Sequence, residues 1–409
     1  MKPDVSIIIL TYNNYPYTRA CLKSIRKWTT TVAYELIIVD NASTDGTARK
    51  VREFNPDVVI ENKRNRGFAA GNNQGLAASK GRWVLFLNND VIVTPHWLDG
   101  LLAPHLEDQQ VAASGPLTNA VSGSQLISSV GYNLKGPNSP TWEMEKFARQ
   151  IREKNSGLHQ RVARLVGFCL LCRKGVLEQL GSFDEIYGIG NFEDDDLCFR
   201  MLAAGFHLVR TDDVFIHHWG SLSFRQKGAG YLEHLSHNLK IFSKRWATSS
   251  EFARVYIFKW HLHIAGEALG AGLLEMAREH MELAASIDEG NEKLALLSAR
   301  FALATGKGFD EVLNRVKTLA QKETISTELL KNALTIAYRA ASNGDSEWIL
   351  DKLQTHPLSE LDEEDIYYAG ELARRGGQHQ RARALIEAYE RVHPVTGRRI
   401  AILKRRLSS

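Results

Sequence analysis

Short apolar runs alternate with helix-like segments over the first 90 residues, and each apolar run ends in polar residues. The apolar runs occupy residues 5–10, 36–39 and 83–87, and the helix-like segments occupy residues 16–28, 44–54 and 68–79. Apolar runs of strand length that alternate with helices are typical of a parallel sheet buried on both faces. We therefore predict an α/β fold, with a mostly parallel sheet whose polar strand ends meet at one edge. That edge is where such sheets bind ligands.

The residues that follow these strands suit a nucleotide site. The third run ends in Asn88-Asn89 and one carboxylate, Asp90, which can hold a divalent cation and through it a phosphate. An Asn/Asp turn that only ends the strand is the alternative. Residues 11–14, 40–46 and 65–75 are rich in short polar side chains and glycine. Polar strand ends that converge on one edge indicate binding of a nucleotide.

The order of these segments carries a family resemblance. The motifs are VSIIILTYNN, IIVDNASTDGT, N-x-G-F-A-x-G-x-N-x-G, LNND, NFEDDDLCFR and HHWGS, in that order, over about residues 4–225. This order resembles inverting family 2 glycosyltransferases with a GT-A fold, especially the subgroup of bacterial rhamnosyltransferases and related cell-surface polysaccharide enzymes. Many members carry Asp-x-Asp where this chain has Asn88, Asn89 and Asp90. The departure implies weaker metal binding, or binding that depends more on the phosphates of the donor.

The resemblance implies a UDP- or dTDP-sugar donor and a divalent cation, Mn²⁺ or Mg²⁺, bound by Asp90. Asp40 would accept the imide N–H of uracil or thymine, although it could instead cap the helix after it. Asn65, Gly67 and Asn73 would lie along the ribose and diphosphate, because glycine lets the backbone approach a ligand. A turn role is the alternative for Gly67. The other residues expected at the donor are Thr11, Tyr12, Asn13 and Asn89.

Four adjacent acids, residues 193–196, precede an amphipathic helical segment. Acids favour a helix N-terminus, so capping is one interpretation. An inverting transferase needs a carboxylate that accepts the proton of the attacking hydroxyl, and crowded acids raise one another's pKa toward neutrality. The resemblance assigns that base to Asp194. For Asp195 and Asp196 we favour capping.

Two adjacent histidines follow a short apolar run at residues 214–216. They could simply end a strand. The resembled family has a metal-binding His in the context H-x-G-[GS]-x-[ST]. Counting back from Ser223 places this His at His218 rather than His217. A neutral imidazole there could supply a further contact where Asn replaces Asp.

Residues 115–140 are rich in Gly, Pro, Ser and Asn, which predicts loops on the acceptor side, followed by a charged helix over 143–156. Trp142 could stack on a sugar or pack the loop down. The spacing of Cys169 and Cys172 also occurs in redox and zinc motifs, but they lie in an apolar stretch and no second pair accompanies them. We expect these cysteines to be packed in a buried strand.

From about residue 228 the strand-like runs stop and helical spacing takes over. Turn glycines at 306, 344 and 376–377 separate pairs of helix-like segments, and an earlier degenerate pair spans 261–288. Helix–turn–helix units of this length resemble tetratricopeptide repeats. We predict a catalytic domain over residues 1–227 and an all-α repeat domain over 228–409 that binds a protein partner or self-associates. An irregular helical bundle without a partner is the alternative.

Composition sets the remaining expectations. At 409 residues the chain exceeds one usual hydrophobic core, and its net charge of +4 is too small to indicate nucleic-acid binding. Residues 1–11 lack the pattern of a signal peptide, and no run approaches the roughly 20 apolar residues of a membrane helix. We predict a cytoplasmic location. The basic residues 398–406 could contact the inner face of a membrane or be a solvated helix end.

These inferences predict a metal-assisted glycosyltransferase that acts with inversion on a hydroxyl of a growing glycan, a lipid-linked glycan or a protein. Two alternatives stay open. A nucleotidyltransferase would need a basic, glycine-rich loop after the first strand, and residues 11–14 are not one. A catalytically weak or inactive scaffold that binds envelope-assembly proteins would fit the loss of acids at Asn88 and Asn89.

Overall fold

The structure is a computed structural model that describes residues 3–220, 229–322, 324–340, 347–393 and 397–408. Contacts divide the chain into two compact units, Met1–Trp246 and Ala247–Ser409. The first unit is α/β and the second is all-α, so the predicted fold class is confirmed.

The first unit begins with alternating strands and helices, as predicted. Its strands are β1 (Val5–Thr11), β2 (Tyr34–Asp40), β3 (Val58–Glu61), β4 (Trp83–Asn88), β5 (Val91–Ile92), β6 (Val111–Thr118), β7 (His159–Val162), β8 (Cys169–Arg173) and β9 (His207–His218). Its helices are α1 (Tyr15–Trp28), α2 (Thr47–Lys50), α3 (Gly67–Ala78), α4 (Trp97–Glu107), α5 (Trp142–Asn155), α6 (Lys174–Leu180), α7 (Glu193–Ala203) and α8 (Ala229–Trp246).

The strands form one curved path in the order β3-β2-β1-β4-β8-β6-β9-β5, with β7 paired to β9. The first four strands of this path are parallel, as predicted. The rest is mixed, because β8 runs antiparallel to both β4 and β6, and β5 runs antiparallel to β9. The predicted mostly parallel sheet therefore holds for the half of the path from β3 to β4.

Both faces of the parallel strands are buried. Ile7 and Ile9 of β1 pack into one core with α1 and α4, whereas Ile8 packs into the core on the opposite face with α3 and α7. Successive residues of a strand point to opposite faces, so an unbroken apolar run is what a sheet covered on both sides requires. The polar residues at the strand ends lie just beyond this buried stretch.

The expected loop at residues 115–118 is instead the second half of β6, and this part of the prediction was wrong. Pro116 lacks a backbone N–H and argues against a strand in the sequence. The ladder between β6 and β9 shifts register between Pro116 and Leu117, and a bulge of this kind accommodates proline. The predicted charged helix is present as α5, one residue earlier at each end.

Helix α8 belongs to the first unit, so the division between units falls after Trp246 rather than at residue 227. Phe242 packs against Phe192, which precedes α7, and against Phe199 within α7. The helical spacing of α8 resembles that of the region after it, so sequence periodicity alone could not reveal which core it joins.

The second unit is built of helices. They are α9 (Glu251–Gly270), α10 (Leu274–Ile287), α11 (Glu292–Thr305), α12 (Phe309–Lys322), α13 (Thr327–Ala340), α14 (Glu347–Leu353), α15 (Glu363–Arg375), α16 (His379–Val392) and α17 (Arg398–Ser408). Gly306 and Gly377 have positive φ at the turns between α11 and α12 and between α15 and α16. Gly344, the third expected turn glycine, lies outside the described residues.

Small residues permit close packing of these helices. Ala299, Ala333 and Ala369 are fully buried in one cluster that extends from α11 to α17. Helices α11, α13 and α15 contact each other in succession. This arrangement is compatible with stacked helix pairs, while assignment to tetratricopeptide repeats stays a prediction. Among the described residues, no helix is both long and apolar enough to cross a membrane.

Candidate active site

The carboxylate of Asp40 lies at the end of β2 and is almost completely buried. Thr11 is its neighbour in the β1–β2 register, and the Thr11 hydroxyl donates to Asp40 Oδ2 over 3.0 Å. The backbone N–H of Ser43 donates to Oδ1 over 2.8 Å. These two bonds fix the plane of the carboxylate, and each oxygen keeps acceptor capacity for a base imide N–H.

The segments after β1 and β2 are tied together. Asn13 has a φ of 55°, and its backbone N–H donates to Ser43 Oγ while its side-chain oxygen accepts from the Thr44 N–H, both over 2.7 Å. Tyr12, between these contacts and β1, is exposed. The structure therefore brings the predicted residues 11–13 beside Asp40.

The glycine-rich segment begins α3 and approaches another loop closely. Gly67 has a φ of 85°, and a Cβ built there would lie 2.1 Å from the carbonyl oxygen of Gly188. Only glycine fits this position. Asn65 Oδ1 accepts from the Gly67 N–H over 2.8 Å and from the Asn41 amide over 3.2 Å. Asn65 thus holds the start of α3 next to the β2 strand end.

Asn73 occupies a different environment from the other predicted donor residues. Its amide donates to the Phe183 carbonyl over 2.9 Å and to Glu185 over 3.1 Å. These bonds join α3 to the loop that precedes α7. A ligand contact for Asn73 stays a prediction, and the contacts that the structure does give it are between protein segments.

Asp90 and His218 form a buried pair. The β5–β9 ladder places His218 opposite Val91, and the His218 Nε2 atom lies 3.3 Å from Asp90 Oδ1. His218 Nδ1 lies 2.7 Å from the Ala120 carbonyl oxygen, which accepts only from a protonated nitrogen. In a neutral ring, Nε2 then carries a lone pair directed at a carboxylate oxygen.

This arrangement is compatible with a divalent cation at Asp90 and His218. An imidazole nitrogen whose partner nitrogen donates to a carbonyl is the usual form of a histidine ligand, and a carboxylate suits Mn²⁺ or Mg²⁺. A cation between the two atoms would also remove the repulsion of their lone pairs. Across the described part of the chain, no group of three or more His, Cys, Asp or Glu side chains is arranged to hold a metal. Further ligands would have to come from the donor phosphates and water.

The two asparagines before Asp90 have separate contacts. Asn88 lies at the end of β4, and its amide nitrogen is 3.4 Å from His218 Nε2. Asn89 donates to the Thr18 hydroxyl of α1 over 2.9 Å. Asn88 is therefore beside the candidate cation position, whereas Asn89 anchors the turn to α1. A role of Asn89 in donor binding stays a prediction.

The acids at the start of α7 differ in access and in partners. Glu193, Asp195 and Asp196 are buried, and Asp194 alone among the four is partly exposed. Asp195 forms an ion pair with Arg164. Asp196 is completely buried and accepts from Arg200 over 2.8 Å.

Helix α8 supplies two more donors to Asp196. Arg245 Nη1 donates over 2.7 Å and Trp246 Nε1 over 2.9 Å. A buried carboxylate with this many donors is neutralised and held in place. Asp195 and Asp196 therefore make ion pairs and hydrogen bonds rather than the helix caps that we favoured. A non-catalytic role for them stays a prediction.

The carboxylate of Asp194 is oriented by hydrogen bonds. Among the described residues, no Lys, Arg or His forms an ion pair with it. The Gly167 N–H donates to Oδ2 over 2.7 Å, and the Asp195 N–H donates to Oδ1 over 2.9 Å. Burial and the charge of Asp195 raise the pKa of Asp194 to about 6. A carboxylate with this pKa is ionised near neutrality and is a stronger base than an ordinary Asp.

Glu193, next to this base, is the most isolated of the four acids. Its Oε2 atom is buried and finds no hydrogen-bond partner among the described residues. Burial and the charge of Asp194 raise the pKa of Glu193 well above its usual range. Burial and the neighbouring charge thus both disfavour the ionised form of Glu193.

Residues 167 and 168 connect the acid to the Asp90–His218 pair. Gly167 donates to Asp194, and the neighbouring carbonyl of Phe168 accepts from the Asn88 N–H over 2.8 Å. The Phe168 ring stacks on the His218 imidazole, with centroids 5.1 Å apart. The predicted base and the predicted cation position are thus joined through two consecutive residues.

The turn before α7 has unusual backbone geometry. Asn191 and Phe192 both have φ near 75°, which is uncommon for residues with side chains, and most of all for a bulky one. Asn238 of α8 is buried and donates to the carbonyls of Tyr187, Gly190 and Asn191 over 2.9–3.1 Å. These bonds stabilise the strained turn that directly precedes α7 and thereby fix the position of Asp194.

Asn238, Arg245 and Arg164 were not found by sequence reasoning. A motif records residues close in sequence, whereas Asn238 is 47 residues from Asn191 and Arg164 is 31 residues from Asp195. Asn238 and Arg245 lie on α8, whose sequence contains many polar residues and does not indicate which segment they contact.

The two histidines separate clearly. His217 is bonded to the Tyr132 hydroxyl over 2.8 Å and lies edge-to-face with Trp219. Burial, followed by the proximity of His218, lowers the pKa of His217 to about 4, so it is neutral. His218 faces Asp90, and its role as a metal ligand stays a prediction. Ser223, used in that choice, lies outside the described residues.

The remaining predicted features have simple positions. Trp142 is 62% exposed at the first turn of α5, so it does not pack the preceding loop down, and sugar stacking stays a prediction. The four cysteines are free and buried, in agreement with a packing role.

The chain is similar in sequence to known glycosyltransferases over part of its length. Residues 6–181, less than half of the chain, match the family described as Glycosyl transferase family 2. An N-acetylglucosaminyl-diphospho-decaprenol L-rhamnosyltransferase of Mycobacterium tuberculosis is 27% identical over 57% of this chain and 81% of its own length. The glycosyltransferase AglE of Haloferax volcanii is 29% identical over 52% of this chain and 66% of its own.

Other relatives are matched over a smaller part of their length. The uncharacterized protein y4gI of Sinorhizobium fredii is 27% identical over 54% of this chain, which spans only 25% of that relative. Among solved structures, a mannosyltransferase from Pyrobaculum calidifontis in complex with GDP-Man and Mn²⁺ aligns with a TM-score of 0.46 at 19% identity, over 82% of this chain and 87% of its own. Residues 6–181 of the first unit are thus similar to glycosyl transferase family 2.

Proposed function

We propose that the first unit transfers a sugar from a UDP- or dTDP-sugar to an acceptor hydroxyl, with inversion and with the help of a divalent cation. The observation that carries the proposal is the difference among the four acids of α7. Asp195 and Asp196 form ion pairs with arginines, while Asp194 is partly exposed and oriented by two backbone N–H groups. Its position in the chain of contacts from Gly167 to His218 supports a shared site.

The donor would bind along the strand ends. Asp40, fixed by Thr11 and Ser43, would accept the imide N–H of the base. Asn65 and Gly67, at the start of α3 beside the end of β2, would lie along the ribose and diphosphate. A Mn²⁺ or Mg²⁺ ion bound by Asp90 and His218 would neutralise the charge that develops on the leaving diphosphate.

Asp194 would accept the proton of the acceptor hydroxyl as its oxygen attacks the anomeric carbon and the bond to the diphosphate breaks. Direct displacement by one nucleophile inverts the anomeric centre, and a single carboxylate base is sufficient for it. The strained turn and α8 would keep this carboxylate in place during the reaction. The acceptor would be a glycan, a lipid-linked glycan or a protein.

Donor hydrolysis provides the test. We expect slow release of UDP or dTDP from a matching nucleotide-sugar, loss of the activity in EDTA, and recovery with Mn²⁺ or Mg²⁺. Asp90→Ala should weaken binding of the nucleoside diphosphate and spare the free nucleoside, because the cation contacts only the phosphates. Asp99→Ala, which removes a half-buried acid of α4, is the matched control.

The outcome distinguishes the alternatives. Full activity in excess chelator would contradict the role of the cation and leave Asp90 as a hydrogen-bond acceptor. Nucleotide-sugar binding without hydrolysis or transfer across a donor panel would favour the inactive scaffold. Release of inorganic pyrophosphate from a nucleoside triphosphate and a sugar phosphate would favour a nucleotidyltransferase.

We further propose that the second unit provides a surface for a protein partner or for self-association. The exposed faces of its helices carry many charged residues, while the apolar and alanine-rich faces are buried within the unit. A chain that ends at Ser250 retains α8, Asp40, Asp90 and Asp194, so it should still hydrolyse the donor slowly. Unchanged oligomeric state together with full transfer to the natural acceptor would contradict a role of the second unit.

A further inference from the structure

A cavity of about 260 Å³ lies between α1 and residues 137–145 of the first unit. One wall is a single face of α1 that includes Arg19, Lys23 and Lys27, and Ile92 of β5 also lines it. Pockets for whole small molecules are generally about 300–1,000 Å³. The α1 cavity is therefore of a size for one group of a larger ligand.

The cations of this cavity are spaced unfavourably for the helix alone. Arg19, Lys23 and Lys27 follow one another at intervals of four residues, and like charges at that spacing destabilise a helix. Lys27 is neutralised by Glu145, with 2.6 Å between Nζ and Oε1. Within the ranges that the structure describes, no carboxylate lies within ion-pair distance of Arg19 or Lys23. These two positive charges have no protein counter-ion there.

The opposite wall offers hydroxyl groups. Ser139 Oγ accepts from the backbone N–H groups of Lys135 and Gly136, each over 3.0 Å. Its oxygen is thus occupied as an acceptor, and its proton remains to be donated. Thr141 instead donates to Glu145 over 2.7 Å, so its hydroxyl oxygen is left as an acceptor. A guanidinium, an ammonium and a hydroxyl donor around one small cavity suit an anion with several oxygens.

Two contacts connect the cavity to the candidate active site. Ile92 pairs with His217 in the β5–β9 ladder, one residue from His218. Thr18, adjacent to Arg19, accepts a hydrogen bond from Asn89, the residue before Asp90. The cavity therefore lies next to β5, which pairs with the end of β9 that carries His218. It does not include Asp40 or Gly67, which are assigned to the donor.

We propose that the α1 cavity binds a phosphate or diphosphate group of the acceptor substrate, with Arg19 and Lys23 as its main contacts. This inference rests on the proposed glycosyltransferase function. Arg19 can bind two phosphate oxygens at once, Lys23 adds a second charge, and Ser139 donates its hydroxyl proton. The acceptor would then be a phosphorylated or diphosphate-linked molecule, whose hydroxyl reaches Asp194 while its phosphate is anchored beside β5.

Inorganic pyrophosphate is a direct probe for this site. Binding to the full-length protein is measured by titration calorimetry in EDTA, so that a cation at Asp90 does not contribute. We expect Arg19→Ala/Lys23→Ala to weaken pyrophosphate binding by about ten-fold or more, because hydrogen bonds between charged groups are strong. Arg26→Ala is the matched control, since Arg26 is on the same helix but lies over the Phe54 ring.

Equal pyrophosphate affinity in all three proteins, or no binding to the wild-type chain, would overturn the assignment. Release of nucleotide from the donor by the double variant should stay at the wild-type rate, because none of the residues assigned to the donor lines the cavity. If the wild-type protein does not hydrolyse any donor, that result counts against the glycosyltransferase function. A failure of the phosphate site and a failure of the proposed function are therefore distinguishable.

A second arm identifies the source of the phosphate. Vesicles with phosphatidylglycerol are compared with vesicles of phosphatidylcholine alone in a flotation assay. Retention on the anionic vesicles that depends on Arg19 and Lys23 and is competed by pyrophosphate would support a lipid-borne phosphate. Pyrophosphate binding without vesicle binding would support a phosphate on a soluble acceptor.

Discussion

Helices α7 and α15 begin in almost the same way in sequence and differ completely in structure. The first starts at the acids 193–196, and the second starts within the acids 362–365. In both, four adjacent carboxylates begin an amphipathic segment that has arginine in its last turn. From sequence alone, either run could cap a helix or serve a reaction.

In α15 the acids are used for local structure. Asp362 is the N-cap residue, and its side chain accepts from the N–H groups of Glu364 and Asp365 in a complete capping box. Lys331 of α13 lies 3.1 Å from the Asp362 carboxylate. Although partial burial opposes it, these backbone N–H donors and Lys331 lower the pKa of Asp362. The ionised form of Asp362 is stabilised, so this carboxylate is a weak base.

In α7 the N-cap is Phe192, which has a positive φ and no side chain that could accept a hydrogen bond. The four acids are shifted inside the helix, where three of them are buried. Two are neutralised by arginines, and the pKa of Asp194 is raised by burial and by Asp195. The comparison shows that the N-cap residue and the tertiary partners, rather than the run of acids, separate a cap from a base.

Exchange of carboxylate for amide at matched positions tests this contrast most strongly. Asp194→Asn should lower turnover by roughly 10²–10⁴-fold with little change in donor affinity, because it removes a general base. Asp362→Asn should leave turnover unchanged, and Asp195→Asn should have a much smaller effect than Asp194→Asn. The measurement is steady-state sugar transfer combined with donor titration. Equal losses for Asp194→Asn and Asp195→Asn would refute the assignment within α7.

Removal of the charge of Asp196 should mainly reduce stability. Asp196→Asn leaves Arg200 and Arg245 without their buried partner, and breaking a buried ion pair costs roughly 3–5 kcal/mol. Urea unfolding followed by tryptophan fluorescence should report this loss, because Trp246 donates to Asp196. A change below about 1 kcal/mol, the usual value for an exposed ion pair, would show that α8 does not hold the start of α7.

The pH dependence of kcat/KM should report the raised pKa of Asp194. A base must be deprotonated to act, so kcat/KM should be half-maximal near pH 6, level off above about pH 7 and fall about ten-fold per pH unit below about pH 5. Asp362→Asn should keep this profile, and the residual activity of Asp194→Asn should lack the inflection. A profile that stays flat down to pH 5 would mean that Asp194 is an ordinary carboxylate.

The smallest effect is expected at the cap of α15. Asp362→Ala should destabilise this helix by about 1 kcal/mol, a typical value for the loss of an N-cap side chain. Hydrogen exchange of the α15 backbone amides in the full chain should accelerate accordingly, by about five-fold. Exchange in α7 should not change. No acceleration in α15 would indicate that Lys331 and Asp365, rather than the cap, fix the start of this helix.

Much of the first unit could be predicted because its signal is local. Unbroken apolar runs such as residues 5–10 require burial on both faces, and their polar ends necessarily meet at one edge. Asp40 and Thr11 are adjacent because consecutive parallel strands pair in register. The choice of His218 over His217 depended on motif spacing, and the β5–β9 ladder places the two rings on opposite sides.

Other features were decided by contacts between distant segments. Pro116 lies in a strand because the ladder with β9 shifts at that point, and α8 joins the first unit because Phe242 packs against Phe192 and Phe199. Arg19 and Lys23 line a cavity only because residues 137–145, distant in sequence, lie opposite them.

The sequence by itself therefore determined the order of strands and helices, the polar strand ends and the acid-rich start of α7. The tertiary structure decided which of the acids is neutralised, through Arg164 and Arg245, and which keeps a raised pKa. The physical reason is that periodicity and motifs depend on neighbours along the chain. Burial and charge compensation depend on neighbours in space, and these set the basicity of Asp194.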